Sequence, residues 1–166
     1  ASSHRRCMVV ELMGNKAGWL TLYAGVAGGA DIILIPEMPY NIDNVCAAVE
    51  RRASQGKTFS ILAVAEGAFD NEEARMKKKE RAARRKEQGY TTATNRIAAQ
   101  IEKMTGFETR VCVPGHMQRG GSPSAYDRVL ATQFGTYAAK LVEHEKYGVT
   151  VAMRNNHVTE NPLDEI

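Results

Sequence analysis

The chain has 166 residues, of which 43% are hydrophobic and 25% charged, a globular balance that excludes an intrinsically disordered protein. A chain of this length holds one domain with a real core, burying roughly two-thirds of its extended surface. Lys and Arg number 22 against 19 Asp and Glu, and the segment 70–88 alone holds eight against five, so the net charge of +3 is local and the remainder sums to zero. That excludes a global nucleic-acid-binding charge. No apolar run approaches the roughly 20 residues of a membrane span. The apolar stretch after His4, Arg5 and Arg6 meets Glu11 too soon for a signal peptide. Cys7, Cys46 and Cys112 are odd in number and far apart, which excludes a disulfide scaffold and a CxxC metal site and points to a reducing, cytoplasmic setting. The chain opens at Ala1 without methionine and closes in the polar segment 161–166, so a piece of something longer is expected.

Apolar runs alternate with helical patterns from end to end. Residues 7–13 read as a Val- and Met-rich strand, and 17–30 as a small-residue helix, dotted with Gly18, Gly25, Gly28 and Gly29, that packs tightly on a sheet. Residues 32–35 form a continuous apolar strand stopped by Pro36, the pattern of a strand covered on both faces. Asn41 caps a helix whose apolar positions Ile42, Val45, Cys46 and Val49 share one face, and Gly56 ends it. Residues 59–65 give the third strand. The stretch 72–104 is helical but divided near Gly89, with Ile97, Ile101 and Met104 as the buried stripe of its second half. Residues 109–113 form the fourth strand, ended by Pro114. After the loop 115–122 a long helix is expected to bury Val129, Leu130, Phe134, Tyr137, Leu141 and Val142, and 149–153 is the fifth strand. The alternation of strands and helices implies one α/β domain with a mainly parallel sheet and helices on its faces, because parallel neighbours need a crossover between them.

In such a sheet ligands bind at the carboxyl ends of the strands. Four segments meet that edge: Met13, Gly14, Asn15 and Lys16; Pro36 and Glu37; Glu66 and Gly67; and the stretch 114–123. The last is the most informative. Ser122 as N-cap and Pro123 as first helical residue would open a helix whose free amides face Gly120 and Gly121, with His116 and Arg119 three apart upstream. A phosphate or carboxylate site fits this pattern, and so does a plain strand-to-helix turn with a solvated Arg119. Gly14 and Lys16 by themselves favour an ordinary turn. Glu66 suits either an acceptor for sugar hydroxyls or a cap for the next helix. His4, His144 and His157 have no ligand spacing, and neither a nucleophile elbow nor a Walker-type phosphate loop occurs. The segment 70–88 is acidic at its start and basic at its end, which complements a helix dipole, and Met76 is its only large apolar residue. It reads as a solvated helix; a polyanion contact is the alternative.

Taken together these residues resemble the 6-phosphofructokinases, specifically the carboxyl-terminal half of the bacterial-type subunit. The resemblance runs through Val9-Val-Glu-Leu-Met-Gly14, Ala17-Gly18, Ala27-Gly-Gly29, Ile35-Pro-Glu37, Ala65-Glu66-Gly67 and above all Pro114-Gly-His-Met-Gln-Arg-Gly-Gly-Ser-Pro123 with Tyr126-Asp127-Arg128. It implies an α/β sugar-phosphate-binding domain over 1–156, with 70–88 a basic helical insertion and 157–166 the start of a carboxyl-terminal extension. It also implies that Met13, Gly14, Glu66, His116 and Arg119 hold fructose 6-phosphate, and that Arg6 and Arg110 reach the sugar phosphate of a neighbouring subunit in a homo-oligomer with shared active sites. The reaction implied is glycolytic phosphoryl transfer from ATP or pyrophosphate, with magnesium, to the 1-hydroxyl, giving fructose 1,6-bisphosphate. Donor loops, magnesium ligands and the activating aspartate would all lie in an amino-terminal half outside this chain, so the chain alone is expected to be inactive, with no catalytic residue and no metal site of its own.

Two positions depart from the family. Asn15 stands where an arginine usually follows Met-Gly, with Lys16 one residue on. Lys57 and Asp31 only partly match a nucleotide-effector set, with Gln55 where a lysine is expected. A non-catalytic sugar-phosphate-binding or regulatory subunit is the alternative reading. Neither nucleic acid nor membrane is expected as a partner.

Overall fold

The computed structural model describes residues 6–90 and 92–166, so His4 lies outside the described residues. The chain divides into two compact units, residues 1–119 and 120–166.

The first unit is an α/β layer structure. Strands β1 (Cys7–Leu12), β2 (Ile32–Leu34), β3 (Ser60–Ala65) and β4 (Thr109–Cys112) make a four-stranded sheet in the order β2-β3-β1-β4. All its pairings are parallel, with Cys7 opposite both Ser60 and Thr109. The connections carry helices α1 (Trp19–Ala27), α2 (Ile42–Ser54), α3 (Lys78–Glu87) and α4 (Ala93–Thr105), as parallel crossovers require. Alternate residues of β3 address opposite faces. Leu62 and Val64 join Val9, Val45, Val49, Ile97 and Ile101 in the core beneath α2 and α4. Ala63 faces α1, where a side chain at Gly25 would come within 2.8 Å of Ile33 and 3.2 Å of Ala63. The sheet therefore carries helices on both faces. Leu62, Val9, Val64, Ile97 and Ile101 are fully buried, each removal from water being worth about 1.5–3 kcal/mol.

Local signals set the helix ends. The Asn41 side chain accepts from the Asp43 amide at 2.7 Å, the expected N-cap of α2. Thr92 caps α4 in the same way, and Gly106 closes it in the left-handed region at φ 72°. Three expectations need correction. Ile32 and Ile33 are only half-buried, because β2 is an edge strand paired to β3 alone. Met104 does not continue the buried stripe of α4; it lies in the last turn and is 46% exposed. The segment 70–88 is not a freely solvated helix. Glu73 is fully buried, and Arg85 Nη2 and Arg96 Nη1 lie 2.6 and 2.9 Å from its carboxylate oxygens. Charged side chains dock this segment where apolar ones are missing.

The second unit comprises α5 (Ala125–Glu143) and an antiparallel hairpin of β5 (Val149–Arg154) and β6 (His157–Pro162). Asn155 and Asn156 form the two-residue turn at φ 49° and 62°, the left-handed pair that a tight hairpin needs. β5 therefore pairs only with β6 and is not a fifth parallel strand, a short turn replacing the helix that a parallel connection would demand. The start of α5 also differs from expectation. Ser124, not Ser122, is the N-cap: its hydroxyl accepts from the Asp127 amide at 3.2 Å while the Asp127 carboxylate accepts from the Ser124 amide at 2.8 Å. Leu130, Phe134, Tyr137 and Leu141 are half-buried, whereas Val129 and Val142 are 57% and 61% exposed, so α5 presents a narrower covered face than its apolar content suggested. The Tyr137 hydroxyl and Lys146 both donate to the Glu160 carboxylate, tying α5 to the hairpin.

Candidate sugar-phosphate site

The four loops at the carboxyl end of the parallel sheet are joined to one another by hydrogen bonds. The Glu66 amide donates to the Leu12 carbonyl at 2.9 Å and the Gly67 amide to the Gly14 carbonyl at 3.0 Å, so the exits of β3 and β1 run side by side. That approach admits no side chain, since a Cβ at Gly67 would lie 2.0 Å from the Asn15 carbonyl oxygen. A Cβ at Gly14 would lie 2.9 Å from the Ala17 carbonyl oxygen, which keeps the first turn equally tight. The β2 exit joins through Glu37, whose Oε1 accepts from the Gly18 amide at 2.7 Å. The β4 exit joins through the 3-10 turn Gly115–Arg119, where Gln118 Oε1 accepts from the Met13 amide at 3.0 Å and Nε2 donates to the Gly115 carbonyl at 3.2 Å.

Met13, Gly14, Glu66, His116 and Arg119 therefore sit on loops that touch. Glu66, His116 and Arg119 are exposed, and among the described residues the His116 and Arg119 side chains form no ion pair with a protein carboxylate. Glu66 is not a helix cap: the turn that follows is capped by Asp70, whose Oδ1 accepts from the Glu73 amide at 2.7 Å. One acceptor carboxylate beside an imidazole and a guanidinium, on a floor of closely spaced backbone, suits a small polyhydroxylated anion. Asn15 and Lys16 are exposed at the same edge.

Arg6 and Arg110 lie elsewhere. Arg6 precedes β1, and Arg110 stands opposite Met8 near the start of β4. With Met13 at the far end of β1, the strand separates the two groups by about 20 Å. Arg6 and Arg110 both donate to Glu108, with Arg6 Nε 2.7 Å from Oε2, and these bonds hold the Glu108 carboxyl below its ordinary range. One bound sugar phosphate does not reach both ends of this sheet.

Gln118 and Glu37 lie on segments that the sequence places at this edge, but their role as hydrogen-bonded fasteners between loops is not legible there. Thr21, fully buried and donating to the Met13 carbonyl at 3.4 Å, is a third. Their only signal is a polar residue directly after an apolar strand or on the buried side of a helix. A cavity of about 620 Å³ bounded by Tyr40, Asp70, Arg84, Tyr90, Arg96 and Gln100 includes none of the site residues. Among the described residues no group of three or more His, Cys, Asp or Glu is placed to hold a metal ion, and no helix is long and apolar enough to cross a membrane.

Residues 1–142 match the family model described as Phosphofructokinase. The ATP-dependent 6-phosphofructokinase of Spirochaeta thermophila is 52% identical over the whole of this chain, which covers 45% of that protein. ATP-dependent 6-phosphofructokinase 3 of Bacteroides thetaiotaomicron is 42% identical, again over the whole chain and 44% of the relative. The chain thus spans about half the length of the curated relatives it matches. Among solved structures, phosphofructokinase from Saccharomyces cerevisiae superimposes with a TM-score of 0.77 at 35% identity, covering 99% of this chain and 21% of that one.

Proposed function

The chain belongs to the phosphofructokinase family, and from that membership we propose that it is the carboxyl-terminal, fructose 6-phosphate-binding half of a 6-phosphofructokinase. The carrying observation is the meeting of four strand-exit loops around exposed Glu66, His116 and Arg119. In this reading Glu66 accepts hydrogen bonds from sugar hydroxyls, and the Met13–Gly14 backbone forms the floor. His116 and Arg119 supply charge-assisted contacts to the anion. Arg6 and Arg110, at the other end of the sheet, serve the sugar phosphate of a neighbouring copy in a homo-oligomer with shared sites.

The full reaction forms a bond from the 1-hydroxyl oxygen to the transferred phosphorus and breaks the donor's phosphorus–oxygen bond, with the hydroxyl proton leaving to a base in the amino-terminal half. Catalysis of this kind is mostly positioning and charge stabilisation, and this half supplies positioning. The similarity to ATP-dependent 6-phosphofructokinases favours ATP over pyrophosphate as donor. Donor and magnesium are assigned mainly to the amino-terminal half, and the residues of this half orient the sugar phosphate. A glycolytic, cytoplasmic role accompanies this assignment.

Asn15 favours a second reading. A neutral amide at the family's arginine position does not neutralise a transferring phosphoryl group, which suits a non-catalytic sugar-phosphate-binding or regulatory subunit. Titrating the chain with fructose 6-phosphate tests the binding assignment. Amide NMR shifts confined to residues 13–16, 66–67 and 115–119, with an affinity no better than roughly millimolar, about −4 kcal/mol, are expected. Shifts absent from those loops reject it. Product formation from ATP or pyrophosphate by this chain alone rejects its division of labour.

A further inference from the structure

The helix that sequence reasoning leaves solvated grips the chain two residues beyond Glu66. Arg85 on α3 donates through Nη2 to the Ala68 carbonyl at 3.0 Å. The same guanidinium holds the buried Glu73 carboxylate with bonds of 2.8 and 2.6 Å. Arg81, one turn earlier on the same face of α3, places its guanidinium 4.2 Å from the centre of the Phe69 ring. Asp70, next in the chain, is held by Arg96 Nη2 at 2.5 Å. Three successive residues after Gly67 are thus each fixed by a different arginine. Glu66 itself is exposed, and Gly67 has no side chain to anchor the turn.

We propose that α3 is a clamp on the β3 exit loop and that Arg85 is a positioning residue for Glu66. The planar fork of Arg85 joins a backbone carbonyl and a buried carboxylate at once, which a lysine ammonium reproduces only in part. Freed of the clamp, residues 66–68 keep, among the described residues, their amide bonds to the Leu12, Gly14 and Ala65 carbonyls but lose the anchor on the far side of the turn, and the Glu66 carboxylate shifts relative to His116 and Arg119. The inference rests on the assignment of Glu66 to the sugar, and its test separates the two.

In the full-length enzyme, Arg85→Ala raises the KM for fructose 6-phosphate about ten-fold, because a displacement near 1 Å is costly in a positioned site. The donor KM stays within two-fold, and Arg85→Lys recovers part of the loss. In the present chain the same substitution speeds amide hydrogen exchange at Gly67 and Ala68. Arg84→Ala, whose partner Glu72 is exposed, changes neither. Glu66→Gln is the reference. If Glu66→Gln raises KM and a folded Arg85→Ala leaves KM and exchange as in the parent, the clamp is overturned and the Glu66 assignment stands. If Glu66→Gln leaves KM unchanged, the sugar assignment fails; faster exchange in Arg85→Ala then still supports the clamp, and parental exchange overturns it. Should Arg85→Ala not fold, Arg81→Ala takes its place, with a KM rise of roughly three-fold and faster exchange at Ala68 expected from loss of the ring contact. Parental values in that variant overturn the clamp.

Discussion

Gln118 receives the amide of Met13 at 3.0 Å across 105 positions of sequence, making one side chain the fastener between the first and last loops of the candidate site. Its amide group then donates to the Gly115 carbonyl, so a single planar group both accepts and donates. Gln118→Ala removes both bonds, and the stability loss expected is about 1–2 kcal/mol. Fructose 6-phosphate affinity should fall roughly five- to ten-fold, since 1–1.4 kcal/mol of site distortion corresponds to that range. Gln118→Glu keeps the acceptor and loses the donor, so it should fall between parent and alanine variant. Urea melts and sugar titrations of the three proteins check the order.

Arg96 is nearly buried, with its side chain 6% exposed against Asp70 and Glu73, themselves 11% and fully buried. Taking away one partner of a buried ionic group leaves an uncompensated charge. Arg96→Met is therefore expected to cost about 3–5 kcal/mol in denaturant melts. A melt that matches the parent's would show that water reaches this network.

The three cysteines should differ sharply in reactivity. Cys7 is 2% exposed, and burial is the main cause that pushes its thiol up to about 12; Cys46 is 5% exposed and also raised, chiefly by burial. Cys112 is exposed. Thiolates react and thiols do not, so iodoacetamide at neutral pH should label Cys112 first, and the other two only on unfolding. Peptide mass spectrometry over a time course reads this directly.

The start of α5 should weaken in acid. The Ser124 hydroxyl and amide, donating to the Asp127 carboxylate, hold its carboxyl below the ordinary range. A depressed folded value means that the contribution is complete above the unfolded carboxylate range and is lost as pH falls through the folded one. Amide exchange in the first turn of α5 should accelerate over that fall. Asp127→Asn should flatten the dependence, and an unchanged acid response in that variant would assign the effect to another group.

Arg6 and Arg110 sit at one end of the sheet and the His116 loop at the other, about 20 Å apart along β1. In the full-length protein, Arg110→Ser mixed with His116→Ala should therefore regain activity after refolding together, through hybrid sites that combine an intact face from each copy. Hetero-oligomers that form and recover nothing would remove the shared-site assignment.

The sequence by itself determined the α/β layering and which loops share the sheet edge. Alternating apolar runs and capped helices are local in origin, and parallel strands joined by helices must present their carboxyl ends together. The caps at Asn41 and the turn glycines were legible for the same reason, their partners lying two to five residues away. Three features were decided only by tertiary structure. Gln118 and Met13 meet across the fold, and no spacing rule encodes a bond between loops. The charged segment 70–88 shows no apolar period, yet it docks through Arg81 and Arg85, because buried Glu73 and the Ala68 carbonyl offer partners that only the folded β3 exit creates. β5 reads as one more strand of the sheet, but the two left-handed asparagines after it turn the chain straight back. A strand's sequence specifies that it must pair; which neighbour it pairs with depends on where the chain brings a free edge.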